Sequence, residues 1–221
     1  MWKHTLNSSF KHFFFDAVGR EHLDKEYLEI LDTFRPMEAV FMLHLGVDID
    51  PMEHLRAALV YCYGMYDLHA ATEKLRTGAY HEGDDGYLIF VPSDHADDFA
   101  PEGKHCVTIY TVAPDTLKNG DWESCKEEYA KKLISLAEKQ IPNLSEHITT
   151  MKIMTARDYS AYTHMKKSSF GGVVPIRGQK NPSHKTPVEN LWFVGQQSEN
   201  AGGVGAVILG AKSAYEKAFK K

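Results

Sequence analysis

Leu191-Trp192-Phe193-Val194-Gly195-Gln196-Gln197-Ser198-Glu199-Asn200-Ala201-Gly202-Gly203-Val204-Gly205-Ala206-Val207-Ile208-Leu209-Gly210 is the stretch from which the fold can be read. Leu191 to Val194 is a short apolar run between turn formers, which predicts a buried strand. A polar loop follows, and Gly203 to Lys220 predicts a helix. Its small residues Gly203, Ala206, Gly210, Ala211 and Ala214 recur at spacings of three and four, so they share one face. Nothing protrudes from that face, and a backbone or a flat ligand can come close to it. The amides around Gly202 to Gly205 start the helix, carry partial positive charge and point back toward the loop. Such a strand–loop–helix suits an anionic oxygen. Lys217, Lys220 and Lys221 sit at the other end, where the helix dipole favours cations.

Two nucleotide fingerprints can be tested against these glycines. A Rossmann motif needs G-x-G-x-x-G, a second strand and an acidic residue about twenty positions on. Here Gly203 and Gly205 are followed by Ile208 in place of the third glycine, and the chain stops at Lys221. A phosphate-cradling P-loop needs Gly-Lys-Ser/Thr, whereas Gly210 precedes Ala211-Lys212. The alternative reading of the pattern alone is a small-residue helix packed on a sheet.

The chain of 221 residues is long enough for one domain with a proper core, or one and a half. Its net charge of −5 and the lack of a basic stripe argue against nucleic acid. Cys62, Cys106 and Cys125 have no metal-ligand spacing and leave an odd thiol, which predicts a reduced, cytoplasmic setting. No apolar run approaches the roughly 18 residues of a membrane-spanning helix, and the N-terminus lacks the pattern of a secretory signal.

In chain order, Met1 to Phe15 mixes polar and aromatic residues without a clean period and predicts irregular structure or a short helix. Asp24 to Phe34 carries a helical apolar stripe closed by Pro36. Ala39 to Val47 predicts a buried strand, with His44 inside it as a satisfied core histidine. Leu59 to Tyr66 predicts a strand broken at Gly64, and Ala70 to Leu75 a turn or short helix. Tyr87–Pro92 and Cys106–Ala113 predict an antiparallel pair, the second with Val107, Ile109 and Thr111 on one face. Trp122 to Ile141 is the clearest helix, with Ser124 to Glu127 in the form of a capping box and Pro142 beyond its end. Ile148 to Thr155 alternates as a strand. A long polar loop covers residues 168 to 184.

Few of these residues have the context of a catalytic group. The acidic runs His81–Gly86 and Asp94–Asp98 lack the register of a calcium loop and the His spacing of a zinc helix, so they are read as solvated turns; no metal site is assigned. Ser168, Ser169 and Ser198 lack a nucleophile elbow. No catalytic side chain is assigned, as expected where a cofactor carries the chemistry.

Asn190-Leu191-Trp192-Phe193-Val194-Gly195-Gln196 with Ala201-Gly202-Gly203-Val204-Gly205-Ala206-Val207 resembles the C-terminal flavin-contacting signature of the FAD-dependent phytoene desaturase, carotenoid isomerase and retinol saturase family. Further pieces resemble the same family in its order: Phe13 to Leu23, Leu43-His44-Leu45-Gly46-Val47-Asp48, Tyr87 to Ser93, and Asp97 through Ala100-Pro101-Glu102-Gly103-Lys104-His105. The resemblance covers nearly the whole chain. It implies FAD as cofactor, contacted by Gly195, Gln196, Gly202, Gly203, Val204 and Gly205, with backbone amides placed against negative charge on the flavin. It implies a substrate contact at Phe170, Gly171 and Gly172, and a long hydrophobic isoprenoid as substrate. The family opens on a glycine fingerprint that these residues do not contain, so the chain is expected to be the C-terminal part of such an enzyme, inactive by itself. Its expected partners are the hydrophobic substrate and either a Rossmann-type half or a second copy of the chain, with peripheral membrane contact. Without the usual neighbours, Trp2, Phe10, Phe13, Phe14 and Phe15 are expected to form an exposed patch.

The fold class this predicts is α+β. A mixed, mostly antiparallel sheet of five or six strands is expected under the Trp122–Ile141 and Asp24–Phe34 helices, with the C-terminal strand and helix belonging to a flavin domain. The expected divisions are 1–20 for a flavin-domain edge, 21–170 for substrate binding and 171–221 for flavin contact. A different class of function stays open beside the enzyme-derived one: a non-enzymatic hydrophobic-ligand or interaction module. That reading expects the small-residue face of the last helix to be covered by the chain itself or by a second copy.

Overall fold

The computed structural model describes residues 4–6, 10, 12–35, 37–163, 165, 167, 170, 180–200 and 202–220. In chain order its elements are β1 (His4–Leu6), a wide helical turn (His12–Val18), α1 (Lys25–Thr33), β2 (Ala39–Val47), β3 (Leu59–Tyr63), α2 (Leu68–Arg76), β4 (Gly86–Phe90), β5 (His105–Ala113), α3 (Trp122–Ala137), β6 (Ile148–Met154), α4 (Ala156–Thr163), β7 (Leu191–Phe193) and α5 (Val204–Phe219). The fold class is α+β, as the sequence predicts. Two compact units divide the chain, one of residues 38–159 and one of residues 1–37 with 160–221. These borders differ from the divisions at 20 and 170 expected from the sequence.

The 38–159 unit is built on a five-stranded antiparallel sheet in the order β3-β4-β5-β2-β6. β2 and β5 pair along their full length, from Ala39 opposite Ala113 to Val47 opposite His105. Period-two alternation sends Phe41, Leu43, Leu45 and Val107, Ile109 to the same buried face. That face is covered by α3, whose Trp122, Ala130, Leu133 and Ala137 are buried in the same cluster. Phe41 stacks on Trp122 with ring centroids 5.6 Å apart. Gly64 follows the last residue of β3, and only glycine fits there, because a Cβ would lie 1.8 Å from the Asp84 carbonyl oxygen. The break expected at Gly64 from the sequence is where β3 ends.

Several local expectations need correction. The cap of α3 is Asp121, whose carboxylate accepts from the Glu123 and Ser124 amides at 2.9 and 3.1 Å. Ser124 therefore sits inside the first turn, and the Ser124–Glu127 capping box does not form. The helix ends at Ala137, not Ile141, although Ile141 stays buried. His44 is exposed: it occupies the strand face opposite the core, with Nδ1 3.3 Å from the Thr108 hydroxyl. Partial desolvation on the strand face, and then Lys152, hold its pKa below the ordinary histidine value.

The other unit holds α1, β1, β7 and α5, so α1, expected to belong with the five-stranded sheet, is grouped with the C-terminal strand and helix instead. β1 and β7 pair in parallel, with His4, Thr5 and Leu6 opposite Leu191, Trp192 and Phe193. The strand His4–Leu6 replaces the irregular or helical start expected there. Phe10, Phe14 and Phe193 are almost fully buried with Tyr27, Leu31 and Phe34 of the α1 segment. The predicted exposed aromatic patch is therefore wrong for Phe10, Phe13 and Phe14: those rings make a core of edge-on contacts, such as Phe14 to Phe193 at 5.1 Å. Phe15 is half-buried, with the Arg20 guanidinium 4.4 Å above its ring. Trp2 lies outside the described residues.

Candidate functional site

The strand–loop–helix forms as its sequence predicts. Thr186 donates its hydroxyl to the Leu191 carbonyl at 2.8 Å, which fixes the turn leading into β7. After the strand, the Gly195 carbonyl accepts from both the amide and the hydroxyl of Ser198, at 3.1 and 2.7 Å, and the loop closes on itself. Ser198 is buried as a turn residue. Gln197 is buried too: its Oε1 accepts from the Phe10 amide at 3.0 Å. Gln196 turns the other way and donates to the Phe170 carbonyl at 3.4 Å. A predicted cofactor residue and a predicted substrate residue are thereby neighbours. Gly171, Gly172, Ser168 and Ser169 lie outside the described residues, as does Ala201.

Gly203 caps α5 with φ +86° and ψ 170°, a conformation essentially reserved for glycine, and no side chain caps the helix there. The first amides of α5 are left without intrahelical acceptors by the geometry of any helix start. A Cβ built on Gly202, Gly203 or Gly205 would meet nothing within 4 Å. Val204 is 78 % exposed. Of the predicted flavin residues, Gly202, Gly203, Val204 and Gly205 thus form an open mouth at a positively polarised helix end, whereas Gly195 is buried in the turn after β7.

Further along α5 the small residues do something else. A Cβ on Gly210 would lie 2.7 Å from Asn200 Cβ and 3.3 Å from the His184 ring. Ala214 and Ala218 pack on Trp192. His184, fully buried, is the residue that sequence reasoning missed. Its Nδ1 is 2.9 Å from the Phe193 carbonyl, which can only accept, so Nδ1 carries the proton. Nε2 lies 2.9 Å from the Asn200 carboxamide and 3.7 Å from the Glu199 carboxylate. Lys217 of α5 closes the group by pairing with Glu199. Burial pushes the Glu199 carboxyl up, but the bonded Lys217 ammonium and the His184 ring outweigh it and leave it below its ordinary value. Burial, then Glu199 and Asp24, push the Tyr27 phenol well above its usual range. His184 ties the end of β7, the loop and the middle of α5 together. No sequence period could flag it, because its partners stand nine and sixteen residues away.

The 38–159 unit carries a separate cavity of about 260 Å³ between α2 and the sheet face opposite the core. Leu68, Ala71 and Leu75 of α2 form one side, and Tyr61, Leu88 and Tyr110 of three neighbouring strands form the other. Among the described residues, β3, β4 and β5 contribute to its wall and β2 does not. The Gly83 amide donates to His81 Nδ1 at 3.1 Å, so His81 carries its proton on Nε2, 3.3 Å from the Thr111 hydroxyl. Thr111 in turn donates to the Gly86 carbonyl at 2.8 Å. Burial dominates at His81 and lowers its pKa, which keeps this relay neutral. In the neighbouring acidic turn, Lys132 pairs with Glu82 at 2.8 Å and Asp84 at 2.7 Å.

Comparison with known proteins adds the following. No family model matches the chain. It is 24 % identical over 215 residues to a phytoene desaturase (lycopene-forming) of Paracoccus sp., covering 94 % of this chain and 42 % of that protein. It is 26 % identical over 200 residues to a 4,4'-diapolycopene oxygenase of Methylomonas sp., covering 86 % of this chain and 39 % of that one. The chain thus spans about two fifths of the length of these relatives. Its fold is similar to that of an oxidoreductase from Methanosarcina mazei, with a TM-score of 0.53 and 18 % identity over 93 % of this chain and 41 % of the other.

Proposed function

Because this chain is homologous to part of an oxidoreductase of the carotenoid-desaturase type, we propose that it supplies the flavin-capping and substrate-binding part of such an enzyme, acting on a long hydrophobic isoprenoid. The observation that carries this reading is the open mouth of α5, where added Cβ atoms on Gly202, Gly203 and Gly205 would meet only open space. The residues fit a flat cofactor: a missing side chain at three positions lets an extended ring system or its linker approach the backbone. FAD, when bound, supplies the electron exchange. Gly202, Gly203 and the amides of Val204 and Gly205 are the groups to hold its anionic or carbonyl oxygens, and Gln196 orients the edge shared with Phe170. The grip on the nucleotide end is assigned to a region carrying the glycine fingerprint, which the 221 residues do not contain. The cavity under α2 is assigned to the apolar substrate. Its 260 Å³ suits one end of a long molecule rather than the whole.

Titration of the labelled protein with millimolar FAD, followed by amide NMR, tests the flavin part. Weak, saturable shifts confined to Gly195–Ala206 are expected. Gly205→Ala should abolish them while leaving the unfolding midpoint unchanged or raised, since alanine is favoured over glycine in a helix by roughly 0.5–1 kcal/mol. Gly203→Ala should lower the midpoint as well, its φ of +86° being strained for any side chain. Tight stoichiometric binding, or shifts scattered elsewhere, would overturn the capping assignment. One observation favours the non-enzymatic reading: Gly210 and Ala214 of the small-residue face are covered by His184, Asn200 and Trp192 of this same chain. An absence of shifts at Gly195–Ala206, with apolar ligands still bound under α2, would select that reading.

A further inference from the structure

β3 lies at one end of the five-stranded sheet, and among the described residues it pairs with β4 alone. The ladder shows which of its backbone groups face outward. Just before the strand the Ala58 carbonyl accepts from the Val91 amide at 2.8 Å, and just after it the Gly64 amide donates to the Asp85 carbonyl at 3.2 Å. Bonded residues alternate along an antiparallel pair. Ala58, Val60, Cys62 and Gly64 therefore turn their backbone groups to β4, and Leu59, Tyr61 and Tyr63 turn theirs away from the sheet.

Such an edge pairs with any extended chain that reaches it, and sheets carry charges, prolines or bulges at their edges to prevent this. β6, at the opposite edge, has two of these devices. Lys152 stands exposed within it, and its register against β2 shifts between Gly46 and Val47. β3 has neither. Leu59-Val60-Tyr61-Cys62-Tyr63 holds no charge and no proline, and its register against β4 is unbroken. Leu59, Tyr61 and Tyr63 are 45 %, 57 % and 62 % exposed.

A second copy of the chain fits this edge by symmetry. The strand is centred on Tyr61, so a two-fold axis there sets Tyr61 against Tyr61 and Leu59 against Tyr63 of the other copy. The outward donors of each edge then meet the outward acceptors of the other. On the exposed face the cross-strand pairs become aromatic on aromatic and aromatic on aliphatic, which are favourable kinds. The nearest charged residues on the two flanks differ in sign, Arg56 before the strand and Asp67 after it. The same axis thus brings the cation of each copy toward the anion-bearing flank of the other. With Tyr66 and Leu68, also exposed, the apolar side chains at this edge offer on the order of 100 Å² each, so two copies bury about 1,000 Å² between them, where specific interfaces begin.

We propose that the chain forms a two-fold dimer by antiparallel pairing of β3 with β3 of a second copy, centred on Tyr61, which joins the two five-stranded sheets into one. The pairing uses only the sheet edge and is independent of the flavin and substrate assignments. Because Tyr61 and Tyr63 also line the cavity under α2, the two cavities come to lie on either side of the axis.

Light scattering on the whole chain, eluted from a sizing column at rising loading concentrations, gives the first readout. A mass approaching twice that of one chain is expected at high micromolar concentration. Tyr61→Pro is the diagnostic variant. Proline is tolerated on an edge strand where the N–H faces away from the sheet, so β3 keeps its bonds to β4 while both central bonds across the axis are lost. The dimer should weaken roughly 10- to 100-fold, and the circular-dichroism spectrum should stay that of the parent. Tyr61→Lys, which sets two ammonium groups opposite each other on the axis, repeats the test should the proline variant fold poorly. Crosslinking reads the register. Across the axis Val60 is opposite Cys62 in a non-hydrogen-bonded pair, where side chains stand closest. Val60→Cys should therefore yield a disulfide-linked dimer through the native Cys62 when treated with a mild thiol oxidant, and Val60→Cys/Cys62→Ser should not. A chain that stays monomeric at every concentration overturns the inference. So does a dimer that Val60→Cys fails to crosslink, or one that Tyr61→Pro and Tyr61→Lys leave intact, which would put the interface on another surface such as the exposed apolar residues of α5.

Discussion

A single glycine shows how closely the parts of the C-terminal segment are fitted. Gly210 leaves room for the His184 ring and Asn200 against the middle of α5. Gly210→Ala would force a contact of 2.7 Å on Asn200 Cβ, a backbone-proximal atom that cannot swing aside. The expected loss is about 1–3 kcal/mol, the usual range for overpacking a buried contact, read as a lower urea midpoint. The His184 Nδ1 resonance, slowed in exchange by its bond to the Phe193 carbonyl, should exchange faster in the variant. An unchanged midpoint would mean that α5 sits elsewhere. The sequence shows a small-residue face of Gly203, Ala206, Gly210, Ala211 and Ala214, yet it does not distinguish the glycines that leave space for a ligand from the one that leaves space for a histidine. Both kinds have the same side chain, and only their neighbours differ.

Among elements, α3 has both ends held by carboxylates. Asp121 receives the Ser124 hydroxyl and two amides at the start, and Glu138 receives the Ser145 hydroxyl and amide at the end. These bonds lower both pKa values: the Ser124 hydroxyl bond is the largest cause at Asp121 and the Ser145 hydroxyl bond at Glu138. A carboxylate whose folded pKa is depressed contributes stability above its unfolded pKa, about 4, and loses it as pH falls through the lower folded value. The urea midpoint of the chain should therefore fall below about pH 4. Asp121→Asn retains an N-cap but not the charge, so it should match the parent closely at pH 7 and show a shallower acid decline. An identical decline in the two proteins would assign the acid sensitivity to other groups. The periodicity of Trp122–Ala137 announced this helix clearly, but Asp121 and Ser124 are both good cap residues. Only the backbone bonds decide between them.

At the scale of the whole molecule, residues 38–159 form a continuous segment with its own sheet, helix cover and buried cluster. Expressed alone, that segment should fold, giving dispersed amide spectra and a cooperative thermal transition; a collapsed, non-cooperative product would show that its core depends on the remaining chain. The other unit joins segments from both ends of the chain and closes through the parallel pair of β1 and β7. A parallel pair of three residues a side is short for a free-standing sheet, and its stability comes from the aromatic cluster around Phe193. What the sequence determined by itself was local: which runs alternate as strands, which carry a helical stripe, where Gly64 and Gly203 interrupt them, and that the C-terminal signature resembles a flavin-contacting one. Those features are written in residues close together along the chain, where period and turn chemistry act directly. What the tertiary structure alone decided was membership and meeting: that α1 and the N-terminal phenylalanines build the unit of β7, that His184 stands behind the glycine loop, and that three tyrosines from β3 and β5 share one cavity. Those choices depend on contacts between residues far apart in the chain. Complementary shape and the removal of apolar surface from water decide them, and neither leaves a periodic trace in the sequence.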